Sequence, residues 1–236
     1  YQVDLNQLTQ SVSEGRKASL SFPVLTLIDS PELHRKSAEI WVTDQFQKNL
    51  SLGEIPKRKR TDKIRLAYFS SDFRQHPVSI LLAELFEIHD RDRFELFAFS
   101  SGPETNDPMR HRIRAAFDHF IDINRLSDKD AAQLVRHWGI DVAVDLSGHT
   151  QDSRSGIFAY RAAPIQLSYI GYLGTMGAEY YDYLLADQVL IPESSRSFYS
   201  EKIVYLPSYQ VSDSKRKIDD RVFSRKELGL PENGFV

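Results

Sequence analysis

The chain has 236 residues, 41% of them hydrophobic and 27% charged, as in an ordinary globular protein of one large domain or one domain with an appendage. Thirty basic residues against 33 acidic ones leave a net charge of -3, which gives no electrostatic reason to expect nucleic acid or a membrane surface as the main partner. There is no cysteine, which excludes disulfides, thiolate chemistry and sulfur-based zinc clusters, and fits a reducing, cytoplasmic setting.

Residues 1–50 read as a helical segment without an internal repeat. In "SPELHRKSAEIWVTDQF", Ser30 is placed to cap a helix, Pro31 to occupy its first turn and Glu32 to favour its positive end. Leu33, Ile40, Trp41 and Phe46 are the expected apolar face. Residues 51–62, with the run "IPKRKRTD", read as a solvated basic linker.

From residue 63 the pattern alternates. Strand-like runs are "KIRLAYFSS", "RFELFAFSS", "HFIDI", "IDVAVDLSG", "PIQLSYIG", "YDYLLAD" and "KIVYLP". Helix-like runs at 77–89, 107–118, 127–138 and 153–162 lie between the early ones. The third is the best bounded, with Ser127 as its cap, Asp128 and Asp130 in its first turn and Gly139 as its stop. Strands alternating with helices imply right-handed crossovers, and runs apolar on both faces imply a sheet covered on both sides. The expected fold class is therefore α/β, a Rossmann-like mostly parallel sheet preceded by a short helical segment.

Ligands of open α/β sheets sit beyond the carboxyl ends of the strands, which makes three junctions comparable. In "SSDFRQHPVS", His76 precedes Pro77 at the start of a helix. The positive end of a helix disfavours a charged imidazole, and a neutral one can accept a proton from a hydroxyl. His76 is thus either a candidate catalytic group or a simple helix cap. In "VDLSGHT", Asp145 ends a strand and His149 follows in a glycine-containing turn. Asp145 either orients an imidazole or binds a sugar hydroxyl, or it caps the turn while His149 is exposed. If the two strands are neighbours, both histidines face one crevice. In "GYLGTMG", Gly171, Gly174 and Gly177 would let the backbone approach a ligand, and Thr175 offers a hydroxyl. The spacing is neither the dinucleotide fingerprint nor a P-loop, and no histidine pair has the spacing of a metal site.

These junctions, followed by "DYLLAD", "YSEKIVYLP" and "YQVSDSKRK", resemble the catalytic region of O-linked N-acetylglucosamine transferases, in particular their bacterial SPINDLY-like relatives. The resemblance runs over residues 63–236 and identifies them with the N-terminal Rossmann-like lobe of a two-lobed GT-B glycosyltransferase. Residues 1–50 resemble the helical segment that follows the family's tetratricopeptide repeats. Both ends of the chain read as cuts in something longer, with "LPENGFV" matching the approach to the second lobe.

The resemblance implies an inverting, metal-independent transfer of a sugar from UDP-GlcNAc to Ser/Thr hydroxyls of an acceptor protein. The donor would be held mainly by the second lobe, so this chain alone would be inactive and its uncovered face open to self-association. It implies catalytic roles for His76, Asp145 and His149, and substrate contacts by Pro77, Gly171, Tyr172, Gly174, Thr175 and Gln210. Leu173 stands where the family usually has proline, and "LPSYQVSD" is a residue shorter than usual with Ser212 where Asn is common. Other readings are a transferase using GDP-fucose or UDP-glucose, or a non-catalytic protein-interaction module.

Overall fold

The computed structural model describes residues 2–58, 61–217 and 220–235. Three helices come first: α1 (Gln2–Ser13), α2 (Ser21–Leu27) and α3 (Pro31–Gln45). Then strands and helices alternate as β1 (Ile64–Ser70), α4 (Pro77–Ile88), β2 (Phe94–Ser100), α5 (Pro108–Ala115), β3 (His119–Asp122), α6 (Asp128–His137), β4 (Val142–Asp145), α7 (Gly156–Ala159) and β5 (Ile165–Ser168). Strands β6 (Tyr183–Ala186) and β7 (Lys202–Tyr205) follow, with a 3-10 turn at Glu193–Phe198 between them.

Each strand-like run of the sequence forms a strand, and all pair in parallel in the order β3-β2-β1-β4-β5-β6-β7. The chain steps outward from β1 to β2 and β3, then returns to place β4 on the other side of β1. The order reverses there, so β1 and β4 flank a topological switch point, with Phe69 opposite Asp145 in register.

The sheet is covered on both faces, which is why its strands are apolar throughout. On one face Leu66, Tyr68, Leu96 and Ala98 pack under Leu82 and Phe86 of α4 and Ile113 of α5. On the other Ala67, Phe69, Phe97 and Phe99 pack under Ala131 and Val135 of α6 and Ile157 and Phe158 of α7. Phe69 and Phe99 stack with centroids 4.8 Å apart.

The helix boundaries follow from their caps. Ser30, Asp107 and Ser127 each accept a hydrogen bond from the amide three residues on, leaving fewer orphan donors at α3, α5 and α6. Gly139, at φ +60°, lets the chain leave α6 in the left-handed region.

Three expectations need correction. The face that α3 buries consists of Ser37, Ala38 and Val42, whereas Leu33, Ile40 and Trp41 are only partly covered. Small residues win there because the backbone of Gly177 comes so close that a Cβ on it would lie 2.7 Å from the Glu39 amide nitrogen. The helix expected over 153–162 contracts to α7. Arg154 is drawn aside to Asp128 and to the Leu126 carbonyl, Ser155 bonds to Asp145, and Arg161 at φ +54° ends the helix. The basic run is also partly docked: Arg58 pairs with Asp141 at 2.5 Å, and Arg136 donates to the Leu52 carbonyl. Lys59 and Arg60 lie outside the described residues, as does Val236. No strand begins in the described part of "LPENGFV".

The helical segment packs onto the sheet domain. Val42 joins the core beside α6 and α7, Asn49 donates its amide to the Ala159 carbonyl, and Tyr180 donates its hydroxyl to that of Phe46.

Gln166, fully buried in β5, joins this side of the molecule. Its carbonyl accepts from the Ala162 and Ala163 amides at 2.8 and 3.3 Å, and its amide donates to the Phe158 and Tyr180 carbonyls at 3.0 and 2.7 Å. Gln166→Leu strands the Ala162 and Ala163 amides, at about 1–3 kcal/mol each, while the Phe158 and Tyr180 carbonyls keep the Arg161 amide and guanidinium as donors. The variant is expected to lose at least ~2 kcal/mol in urea denaturation; a loss under ~1 kcal/mol would show that the two amides find other partners.

Candidate active site

A cleft of about 810 Å³ opens beyond the carboxyl ends of β1 and β4. The loop after β1 gives it Asp72, Arg74 and His76; the loop after β4 gives it His149 and the stretch Thr150–Ser153. Two junctions separated by more than seventy residues thus meet because their strands are neighbours. The third contributes only Gly171.

His76 is the N-cap of α4. Its Nδ1 accepts a 3.4 Å hydrogen bond from the Val78 amide, and Asp72 Oδ2 lies 3.7 Å from the same nitrogen. A lone pair engaged at Nδ1 puts the proton of a neutral ring on Nε2. His76 is therefore a cap and also a partly exposed hydrogen-bond donor on the cleft wall. Pro77, next to it, is exposed at the first position of the helix.

His149 has the opposite character. It is 5% exposed, so it is not the surface residue that one reading of its turn suggested. Its Nε2–H donates to the Met176 carbonyl at 2.8 Å, and its Nδ1 has no partner and is shielded from solvent. Burial holds its pKa below the ordinary value, against the opposing pull of the Met176 carbonyl and of Asp145. The ring is held neutral with a free lone pair, the form that a proton acceptor requires.

Asp145 does not line the cleft. Oδ1 accepts from the Ser147 and Gly148 amides at 2.9 and 3.0 Å, and Oδ2 accepts from the Tyr181 and Ser155 hydroxyls. The carboxylate is spent on the turn that carries His149.

The glycine loop is shaped by protein rather than by an open ligand face. A Cβ on Gly171 would lie 1.9 Å from the Leu146 carbonyl oxygen, and one on Gly174 would lie 2.8 Å from the Tyr172 hydroxyl. Ile170, at φ +62°, makes the sharp turn, with the Gly171 amide bonded back to the Tyr169 carbonyl at 2.9 Å. Tyr172 is buried, stands edge-on to His149 at 5.2 Å and has an unpartnered hydroxyl. Thr175 is buried too, donating to Glu201 Oε2 at 2.7 Å. Burial pushes the Glu201 carboxyl up from its ordinary value, against the hydrogen bonds from Thr175 and the Met176 amide. Gln210 is exposed and does not line the cleft, whereas Tyr209 is buried under Tyr169.

Sequence reasoning passed over much of the cleft. Asp72 and Arg74 sit in the motif that singled out His76, and their 3.0 Å ion pair forms part of the same wall. The facing wall, with Leu20, Phe22, Pro23, Trp41 and Phe46, comes from the helical segment, where nothing in the local pattern marks a site. Among the described residues no cluster of three or more His, Asp or Glu side chains is placed to hold a metal ion. No helix among them is long and apolar enough to cross a membrane.

A doubly wound parallel sheet with polar groups converging at its switch point defines the class: a Rossmann-like α/β lobe of GT-B glycosyltransferase type. The model of glycosyl transferase family 41 matches residues 46–226, and the chain belongs to that family. It is similar to a probable UDP-N-acetylglucosamine–peptide N-acetylglucosaminyltransferase, SEC, of Arabidopsis thaliana, with 38% identity over 180 residues, 74% of this chain and 18% of the relative. The UDP-N-acetylglucosamine–peptide N-acetylglucosaminyltransferase of Caenorhabditis elegans is 34% identical over 146 residues, 61% of this chain and 13% of the relative. A solved mutant of the Thermobaculum terrenum O-GlcNAc transferase superposes with a TM-score of 0.71 at 33% identity, covering 77% of this chain and 35% of that one. The chain thus spans less than a fifth of the length of these curated relatives.

The neutral, buried His149 has a consequence for stability. Its folded pKa is depressed below the ordinary 6.5, so below that pH the unfolded chain binds more protons than the folded one. Stability is expected to fall as pH drops from 6.5 through the depressed value, and His89, also depressed by burial, adds to the slope. Denaturant midpoints measured between about pH 5 and pH 7.5 should fall less steeply in His149→Gln than in the parent. Equal slopes would show that the ring takes up its proton in the folded state without penalty.

Proposed function

We propose that this chain is the first catalytic lobe of an inverting transferase that moves N-acetylglucosamine from UDP-GlcNAc to Ser or Thr hydroxyls of proteins. The observation that carries the reading is the convergence of His76 and His149 on one cleft at the switch point of the sheet, in a member of family 41. The similar transferases are named for that donor and for peptide acceptors.

In this reading the acceptor hydroxyl oxygen attacks the anomeric carbon of the sugar, and the bond to the diphosphate oxygen breaks on the opposite face. UDP leaves with the bonding pair. The hydroxyl proton passes to His149 Nδ1, which has no other donor and which the acceptor reaches by displacing the side chains that shield it from solvent. His76, whose Nδ1 is occupied by its cap, donates through Nε2–H to an oxygen of the sugar or of the leaving diphosphate. The N-terminus of α4 adds positive potential on the same wall, where Arg74 is paired with Asp72. Asp145 acts through the turn it builds, and Gly171, Tyr172, Gly174 and Thr175 act by shaping the loop against His149. A second lobe supplies most donor contacts, in keeping with the 35% of the solved transferase that this chain covers.

The test is UDP release by the full-length protein from UDP-GlcNAc, UDP-glucose and GDP-fucose, with and without lysate protein as acceptor. Acceptor-dependent release from UDP-GlcNAc is expected. His149→Ala and His76→Ala should each lower kcat by about 100-fold or more, the usual scale of a lost acid–base or charge-stabilising group. Release from another donor alone would move the assignment within the fold, and none from any donor would leave a protein-interaction module.

A further inference from the structure

We propose that the apolar wall of the cleft selects the acceptor: Phe22, with Leu20 and Trp41, receives a bulky apolar side chain lying within two residues of the modified hydroxyl. The inference rests on the transferase reading above.

Leu20 and Phe22 are 53% and 41% exposed, while Val24, two residues on, is fully buried. Folding therefore leaves two large apolar side chains uncovered on the inside of a concave surface, where water is removed whenever the cleft is filled. The Phe22 ring lies 6.3 Å from the ring of Tyr172, which stands 5.2 Å from His149. One ring thus separates the wall from the imidazole assigned to the hydroxyl. An extended peptide rises about 3.3 Å per residue, so a side chain two residues from the modified one is displaced by ~6–7 Å. The two ring-to-ring steps place Phe22 no more than about 11.5 Å from His149, a span that this displacement and the length of a bulky side chain together cover. Trp41 lies in the same wall, held by the Lys17 ammonium 4.8 Å from its ring.

The two walls divide the substrates by chemistry. A diphosphate needs positive charge and N–H donors, and those the cleft offers, His76 and Arg74 (the latter paired with Asp72), stand on the loop after β1. Leu20, Phe22, Pro23 and Phe46 have no side-chain donor to offer it. The apolar wall is left to the polypeptide, and it comes from the helical segment rather than from the sheet.

The experiment uses the full-length protein, UDP-GlcNAc and peptides with a single Ser that differ only in carrying Leu or Asp two residues before it, or two residues after it. In at least one pair the parent should favour Leu by about tenfold or more in kcat/KM, the scale that one buried apolar side chain supplies. Phe22→Ala should bring that ratio close to one, and Phe22→Leu should keep most of it. The ratio is immune to a loss of folded protein, which lowers both peptides equally. Equal use of Leu and Asp peptides by the parent, or an unaltered preference in Phe22→Ala, would overturn the proposal. So would a raised KM for UDP-GlcNAc in Phe22→Ala with the peptide preference intact, which would place the donor on this wall. Absence of UDP release with every peptide would instead overturn the transferase reading itself, and the wall's role with it.

Discussion

The pairing of β1 with β4 is the constraint on which the rest of this structure depends. Their ladder, from Leu66 opposite Val142 to Phe69 opposite Asp145, is short, yet it joins the two halves of the sheet at the one place where the strand order reverses. A crossover that returns past β1 must leave a gap beyond the strand ends, because α4 and the chain after β4 depart to opposite faces. The cleft is that gap. Everything proposed for the molecule follows from which side chains stand at its two lips.

Those lips are built differently. After β1 the chain turns at once into a helix, so His76 is a cap, partly exposed and with one nitrogen committed to the backbone. After β4 it makes a tight polar turn whose interior is the Asp145 carboxylate, and His149 is pressed inward against Tyr172. Two residues of one type thus acquire complementary character. One offers an N–H at a helix end; the other offers a buried lone pair, on a ring that desolvation keeps neutral while the Met176 carbonyl fixes its tautomer. The loop at 170–177 is the buttress behind the second, and its own support is the buried Glu201 and Thr175 pair.

Much of this was legible in the sequence. Strand after strand could be read because a doubly covered sheet requires apolar runs, and the caps at Ser30 and Ser127 announced their helices. His76 and His149 stood out because a helix start and a glycine turn recur at the same point of two strand–helix units. What could not be read was anything set by distant approach. The glycines at 171, 174 and 177 suggest room for a ligand, but the Leu146 carbonyl, the Tyr172 ring and α3 fill that room. Asp145 had the look of a functional carboxylate because its partners Ser155 and Tyr181 lie ten and 36 residues away. The wall of Leu20, Phe22 and Trp41 was invisible because only the packing of α2 and α3 brings it to the cleft.

The central claim is that His76 and His149 serve one reaction centre, and a double-mutant cycle on kcat in the full-length protein tests it most directly. Groups that act as a unit in one transition state are strongly non-additive when removed together. The account predicts that His76→Ala combined with His149→Ala loses little more activity than the worse single variant. Losses that simply multiply would contradict it, leaving two independent residues that happen to share a cleft.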